Sequence, residues 1–85
     1  MSKVAVITGG NRGIGLAVAK DLISKNYNVV LGCRNVSKGK IAQDYLGNNA
    51  TFLELDLSRP SSILHFVNQI NSNFSEIDVL YNNAG

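Results

Sequence analysis

Tryptophan is absent from the 85 residues, and cysteine, proline, methionine and histidine occur once each. A lone cysteine, Cys33, excludes an internal disulfide and a multi-cysteine metal site. It closes an apolar run and reads as a small buried residue rather than a nucleophile. His65 has no second histidine or cysteine spaced to share a metal, so no metal site is expected. Charge of one sign is also scarce. Eight Lys and Arg against six Asp and Glu leave +2, with no like-charge run and no aromatic-basic interleaving, and this argues against a nucleic-acid partner. Long hydrophobic runs are missing too: Val4 to Ile7 and Val29 to Leu31 fall far short of the ~18 to 20 residues of a membrane span. Met1-Ser2-Lys3 leads straight into an apolar segment, without room for a charged n-region and a cleavage site, and the simplest expectation is a cytoplasmic protein.

What is present describes one small globular unit. Hydrophobic residues make up 45% and charged residues 16% of the chain, enough apolar surface for a single core and too little charge for disorder. Lys3 to Thr8 is a nearly continuous apolar run ended by Gly9-Gly10, as in a strand buried on both faces of a parallel sheet. From Gly13 the period changes: Ile14, Val18 and Leu22 recur at helical spacing to about Lys25. Asn28 to Cys33 is a second strand. Ser37 is the expected cap of a second helix carrying Ile41, Ala42, Tyr45 and Leu46, with Gly39 inside it and Gly47 closing it. Thr51 to Leu55 predicts a third strand, and Ser58-Arg59-Pro60 a helix start. Ile63, Phe66, Val67, Ile70 and Phe74 then form a stripe, and Ile77 to Tyr81 predicts a fourth strand.

The order β-α-β-α-β-α-β predicts an α/β fold, a Rossmann-type doubly wound parallel sheet with strands ordered three-two-one-four. In such a sheet the junction of strands one and four is a topological switch point, bordered by a ligand crevice at the strand carboxyl ends. Thr8-Gly9-Gly10-Asn11-Arg12-Gly13-Ile14-Gly15 falls there, between the first strand and the first helix. Gly9 lets the backbone turn, Gly13 opens the main chain to a pyrophosphate, and Gly15 lets the helix pack close to the sheet. The amides around Asn11 to Ile14 and the helix dipole would then face the phosphates. The phosphate loop of nucleoside triphosphatases fails, because Leu16-Ala17 stand where lysine and a hydroxyl are needed; G-x-G-x-x-G fails as well. What remains is T-G-x-x-x-G-x-G. A purely structural glycine turn is its competing reading.

That octet, with Asp56-Leu57 after the third strand and Asn82-Asn83-Ala84-Gly85 after the fourth, resembles the short-chain dehydrogenase/reductase family over the whole chain. The wording TGGNRGIGLA and VVLGCRN is most similar to the carbonyl reductase branch. The resemblance implies that Asp56 and Leu57 meet an adenine ring, and that Asn83, Ala84 and Gly85 line the adenosine side of the crevice, Asn83 also bracing neighbouring strands. Plainer readings stand beside these: Asp56 as a solvated carboxylate or helix cap, and Asn82 to Gly85 as a turn.

At the end of the second strand, where NAD-binding units place an acidic residue, this chain reads Gly32-Cys33-Arg34-Asn35. Arg34 can offer a planar fork to a 2′-phosphate and Arg12 a second charge, so NADP(H) is the expected cofactor; two idle surface arginines are the alternative. The family's chemistry rests on a serine and a Tyr-x-x-x-Lys pair. Tyr27, Tyr45 and Tyr81 are followed four positions on by Leu31, Asn49 and Gly85, so no catalytic residue is identified here. Family members are much longer. The expectation is therefore that residues 1–85 form the N-terminal part of a single NADP(H)-binding Rossmann domain in an oxidoreductase that reduces small carbonyl substrates, and that this part alone is inactive and weakly stable. A non-catalytic NADP(H) sensor or interaction module, and a structural remnant without nucleotide affinity, are the alternatives.

Overall fold

The structure is a computed structural model and describes residues 3–11 and 13–83. The chain runs β1 (Lys3–Thr8), α1 (Gly13–Ser24), β2 (Tyr27–Cys33), α2 (Val36–Leu46), β3 (Ala50–Glu54), α3 (Pro60–Asn73) and β4 (Val79–Asn82). The strands form one sheet in the order β3-β2-β1-β4, every pair parallel, as the alternation of strands and helices predicts. Ala5 is paired to Val29 on one side and to Val79 on the other, which makes β1 a central strand. That position explains its apolar sequence: Val4 to Thr8 are all buried.

Successive side chains of a strand point to opposite faces, and the core divides accordingly. Ala5, Ile7, Val29 and Leu31 pack with Ala19 of α1 and Ala42 of α2 on one face. Val4, Val6, Val30 and Leu55 pack with Phe66 and Ile70 of α3 on the other. Helices thus cover both faces, the doubly wound arrangement.

Several local expectations need correction. The second helix is capped by Asn35, whose side chain accepts from the Lys38 N–H at 2.9 Å, and not by Ser37, which lies inside the helix. An Asn side chain reaches the N3 amide as well as a serine does, and Asn35 has the extended backbone a cap needs. The apolar stripes are narrower than the spacing suggests. Ile14 is 67% exposed, because it stands at the open N-terminal end of α1 rather than over the sheet. Ile41 and Tyr45 are exposed, as are Ile63 and Val67, so α2 buries Gly39 and Ala42 while α3 buries Phe66 and Ile70. Phe74 is the C-cap of α3, in extended conformation, and only partly buried. The fourth strand begins at Val79, later than the sequence suggests, because Asp78 turns to β1 instead: its Oδ2 accepts from the Val4 N–H and its own N–H donates to the Val4 carbonyl, both at 2.8 Å. β4 is a sheet edge, and its Leu80 is 68% exposed.

Candidate functional site

Every residue singled out for a ligand role that falls among the described residues lies at or just beyond a strand carboxyl end or at the start of α1. Arg12, Ala84 and Gly85 lie outside the described residues. Gly9 and Gly13 have φ of 67° and 60°, a left-handed backbone that residues with a Cβ seldom adopt, so the loop from β1 into α1 depends on glycine at both positions. A Cβ on Gly13 would meet nothing within 4 Å. The space over that position is open, as an approaching ligand requires.

Gly15 shows the opposite situation. It is buried, and a Cβ there would stand 2.6 Å from the Gly9 carbonyl oxygen and 2.7 Å from Asn83 Nδ2. The close approach brings the first turn of α1 down onto the loop. The first amides of a helix have no partner within it, so those of α1 form a positively polarised mouth directly after the loop. A Cβ at Gly10 would likewise run into Leu31.

The mouth is braced from β4. Thr8 Oγ1 donates to Asn82 Oδ1 at 2.9 Å and accepts from the Asn83 N–H at 3.0 Å, while Asn83 Nδ2 donates to the Gly9 carbonyl at 3.2 Å. Asn83 therefore ties the end of β4 to the glycine loop. Sequence reasoning does not single out Thr8, although it opens the octet; its hydroxyl is what joins the two strand ends.

The adjoining strands bring in the charged groups. The Gly9 N–H donates to the Gly32 carbonyl at 2.7 Å, and the Leu55 N–H to the Cys33 carbonyl at 2.9 Å, so the ends of β1, β2 and β3 are laced together. Arg34 and Asp56 emerge just past those bonds. Cys33 is buried, and burial pushes its thiol pKa up, which fits a packing residue. Arg34 is exposed, as are Lys38 and Lys40. Asp56 is partly exposed and Leu57 is 49% exposed, so both present surface to this edge. Asp56 Oδ1 accepts from the N–H of Ser58 at 3.0 Å and from its hydroxyl at 2.6 Å. Its N–H donates to Ser62 Oγ at 2.9 Å, and its carbonyl accepts from the Arg59 N–H at 3.1 Å. The serines therefore brace the loop around Asp56, while α3 starts at Pro60 after an Arg59 cap that makes no side-chain cap bond. The Asp56 carboxyl is held below its ordinary value. The Ser58 hydroxyl contributes most, then the Ser58 N–H; desolvation opposes them, and the charges of Arg34 and Arg59 add the smallest lowering.

A strand-to-helix glycine loop at the switch point of a 3-2-1-4 sheet is an arrangement shared by many nucleotide-binding proteins, and the decision among them rests on the sequence as a whole. Residues 3–85 match the family model described as short chain dehydrogenase. The chain belongs to that family. Over 84 residues it is 42% identical to the 3-oxoacyl-[acyl-carrier-protein] reductase FabG of Buchnera aphidicola subsp. Baizongia pistaciae, covering 98% of this chain and 34% of that protein. Salutaridine reductase of Papaver somniferum is 43% identical over 91 residues, covering 98% of this chain and 28% of that protein. Its solved structure superposes with a TM-score of 0.91, at 40% identity, over 98% of this chain and 30% of that one. The structure of L-sorbose reductase from Gluconobacter frateurii, complexed with NADPH and L-sorbose, gives a TM-score of 0.90 at 35% identity, over 99% of this chain and 34% of that one. The chain thus spans about a third of the length of these relatives.

Other parts of the surface of this family member offer less. A hollow of about 180 Å³ between α1 and α2 is lined by Lys20, Ile23, Tyr45 and Leu46. It lies toward the amino ends of the strands, opposite the glycine loop, and its lysine is turned onto Tyr45, 3.2 Å from the hydroxyl. Among the described residues no group of His, Cys, Asp and Glu could hold a metal, and no helix is long and apolar enough to cross a membrane.

Proposed function

We propose that residues 1–85 form the NADP(H)-holding edge of an oxidoreductase that reduces carbonyl groups on small substrates. The observation that carries the reading is the glycine loop itself: positive φ at Gly9 and Gly13, open space where a Gly13 Cβ would project, and the start of α1 drawn down at Gly15. A diphosphate fits such a mouth because its charge meets main-chain amides without side-chain bulk between. Gly9, Asn11, Gly13, Ile14 and Gly15 would form that mouth, with Arg12 beside them. Asp56, Leu57, Asn83, Ala84 and Gly85 would border the adenosine half. Arg34 stands where a carboxylate would otherwise take the ribose 2′-hydroxyl, and its exposed fork suits a 2′-phosphate. Two reductases with NADPH in their solved structures, the L-sorbose reductase and the actinorhodin polyketide ketoreductase, support the choice of cofactor.

When bound, the nicotinamide supplies the hydride. The residues described here bind and orient the dinucleotide. The test is titration calorimetry of the full-length protein with NADPH and NADH. Tight binding of NADPH is expected, and Arg34→Ala should weaken NADPH tenfold or more, by the ~1.5 to 3 kcal/mol of a hydrogen bond to a charged group, while sparing NADH. Equal losses for the two nucleotides would remove the NADP assignment, and no binding of either would remove the oxidoreductase reading.

A further inference from the structure

Among the described residues β3 is an outer strand of the sheet, paired to β2 on one side only. Such an edge offers a row of backbone N–H and C=O groups to any strand that arrives. Two bonds identify the residues that carry this row. The Val29 N–H donates to the Asn49 carbonyl at 2.8 Å and the Leu55 N–H to the Cys33 carbonyl at 2.9 Å, so the main chain of Asn49, Thr51, Leu53 and Leu55 is turned toward β2. The main-chain polar groups of Ala50, Phe52 and Glu54 therefore point away from the sheet. Two of these three N–H groups are taken from within the chain. The Ala50 N–H donates to the Gly47 carbonyl at 3.1 Å, in the turn that follows α2. The Phe52 N–H, at the centre of the strand, donates to Gln43 Oε1 at 2.6 Å. Gln43 is partly buried and stands one helical turn after Gly39, on the same side of α2. A Cβ at Gly39 would overlap the Phe52 ring, so the glycine lets α2 sit close enough for the Gln43 amide to reach over the edge. Glu54 is exposed and adds a charge at the end of the row.

We propose that Gln43 is the guard of the β3 edge, and that the partner it turns away is a second copy of this chain. An edge of this kind can complement itself. Two β3 strands related by a twofold axis meet antiparallel, and with Phe52 opposite Phe52 each N–H can donate to the carbonyl of the other. Thr51 and Phe52 favour extended pairing, and Ala50 to Leu53 carry no charge that would oppose it. Gln43 occupies the donor at the axis of that arrangement, where a single side chain blocks both partners at once. The guard is independent of nucleotide binding, because Gln43 and Phe52 lie away from the glycine loop, on the far side of β2 from β1.

The experiment is sedimentation of the full-length protein over a range of concentrations, together with hydrogen exchange at the Phe52 amide. Gln43→Leu keeps the bulk of the side chain and removes the acceptor, Gln43→Ala removes both, and Gln43→Glu keeps an acceptor. Gln43→Leu and Gln43→Ala should each reach twice the mass of the parent as concentration rises, while Gln43→Glu keeps the parent's mass. At low concentration the Phe52 amide of both variants should exchange about five- to tenfold faster than in the parent, in line with the loss of one hydrogen bond, and should regain protection as the mass doubles. The parent's mass at every concentration in both variants would overturn the proposal. So would a doubled mass without renewed protection at Phe52, since the copies would then meet elsewhere. Doubling in Gln43→Leu alone would assign the association to the added leucine and sink the guard. Loss of the fold in both variants would overturn it too, because Gln43 would then be a structural residue of α2.

Discussion

Gly15 lies against the Gly9 carbonyl so closely that a Cβ added to it would stand 2.6 Å from the oxygen. Real Cβ atoms do not approach oxygen that closely, and the obstacle is backbone, with Asn83 Nδ2 on a second side. The contact fixes the height of α1 above the sheet, and with it the position of the helix mouth relative to the loop.

Gly15→Ala is therefore expected to destabilise the protein. Alanine is worth ~1 kcal/mol over glycine inside a helix, but overpacking against a rigid neighbour costs ~1 to 3 kcal/mol and the helix must also lift. The net effect expected is a modest fall in the urea midpoint together with a large loss of nucleotide affinity. A variant as stable as the parent that binds nucleotide normally would show that the approach of α1 to the loop is unimportant.

Gly39 makes a parallel case on α2, where it is buried and a Cβ would overlap the Phe52 ring of β3. By propensity alone Gly39→Ala should stabilise an 11-residue helix. The ring overlap reverses the sign, and a loss of about 1 to 3 kcal/mol is expected by chemical denaturation. Pairing it with Phe52→Leu, which removes the ring, should recover part of that loss; an unchanged deficit in the double variant would argue against the ring as its cause.

These glycines also show where the sequence is legible and where it is not. The apolar run from Val4 to Ile7, bounded by Gly9-Gly10, identifies a central parallel strand unaided, because a strand buried on both faces leaves no room for alternation. The loop octet and Asp56-Leu57 lie at strand ends, where chemistry and topology coincide, and the sheet order follows from the alternation of elements. Gly39, by contrast, looks like a defect in its helix until Phe52 is known to sit over it, and Gly32 looks idle until the Phe66 ring is found 2.9 Å from where its Cβ would be. Contacts between residues distant in sequence leave no local periodicity. For the same reason the stripes of α1 and α3 are overestimated: spacing marks a face as apolar, but Ile14, Ile63 and Val67 remain exposed because nothing among the described residues lies over them. The link from Thr8 to Asn82 and Asn83 spans nearly the whole chain and leaves no local periodicity either; only the family resemblance points to Asn83 as a brace, and nothing points to Thr8.

The Asp56 carboxyl predicts an acid dependence of stability whose sign is fixed. Its pKa in the folded protein lies below the ordinary 3.8, first because of the Ser58 hydroxyl and N–H and then because of the charges of Arg34 and Arg59. A carboxyl depressed on folding takes up protons more readily in the unfolded chain, so stability falls as pH falls. The contribution is complete well above 3.8 and is lost as the pH drops from there through the lower folded value. Asp56→Asn keeps an oxygen that accepts from Ser58 but carries no charge. The urea midpoints of parent and variant should differ at neutral pH and converge in acid, with Ser58→Ala flattening the acid limb by removing the hydroxyl donor. A difference that stays constant down to the acid end would mean that the Asp56 charge does not contribute to folding, and the loop around it would then owe its shape to the Ser62 and Arg59 backbone bonds alone.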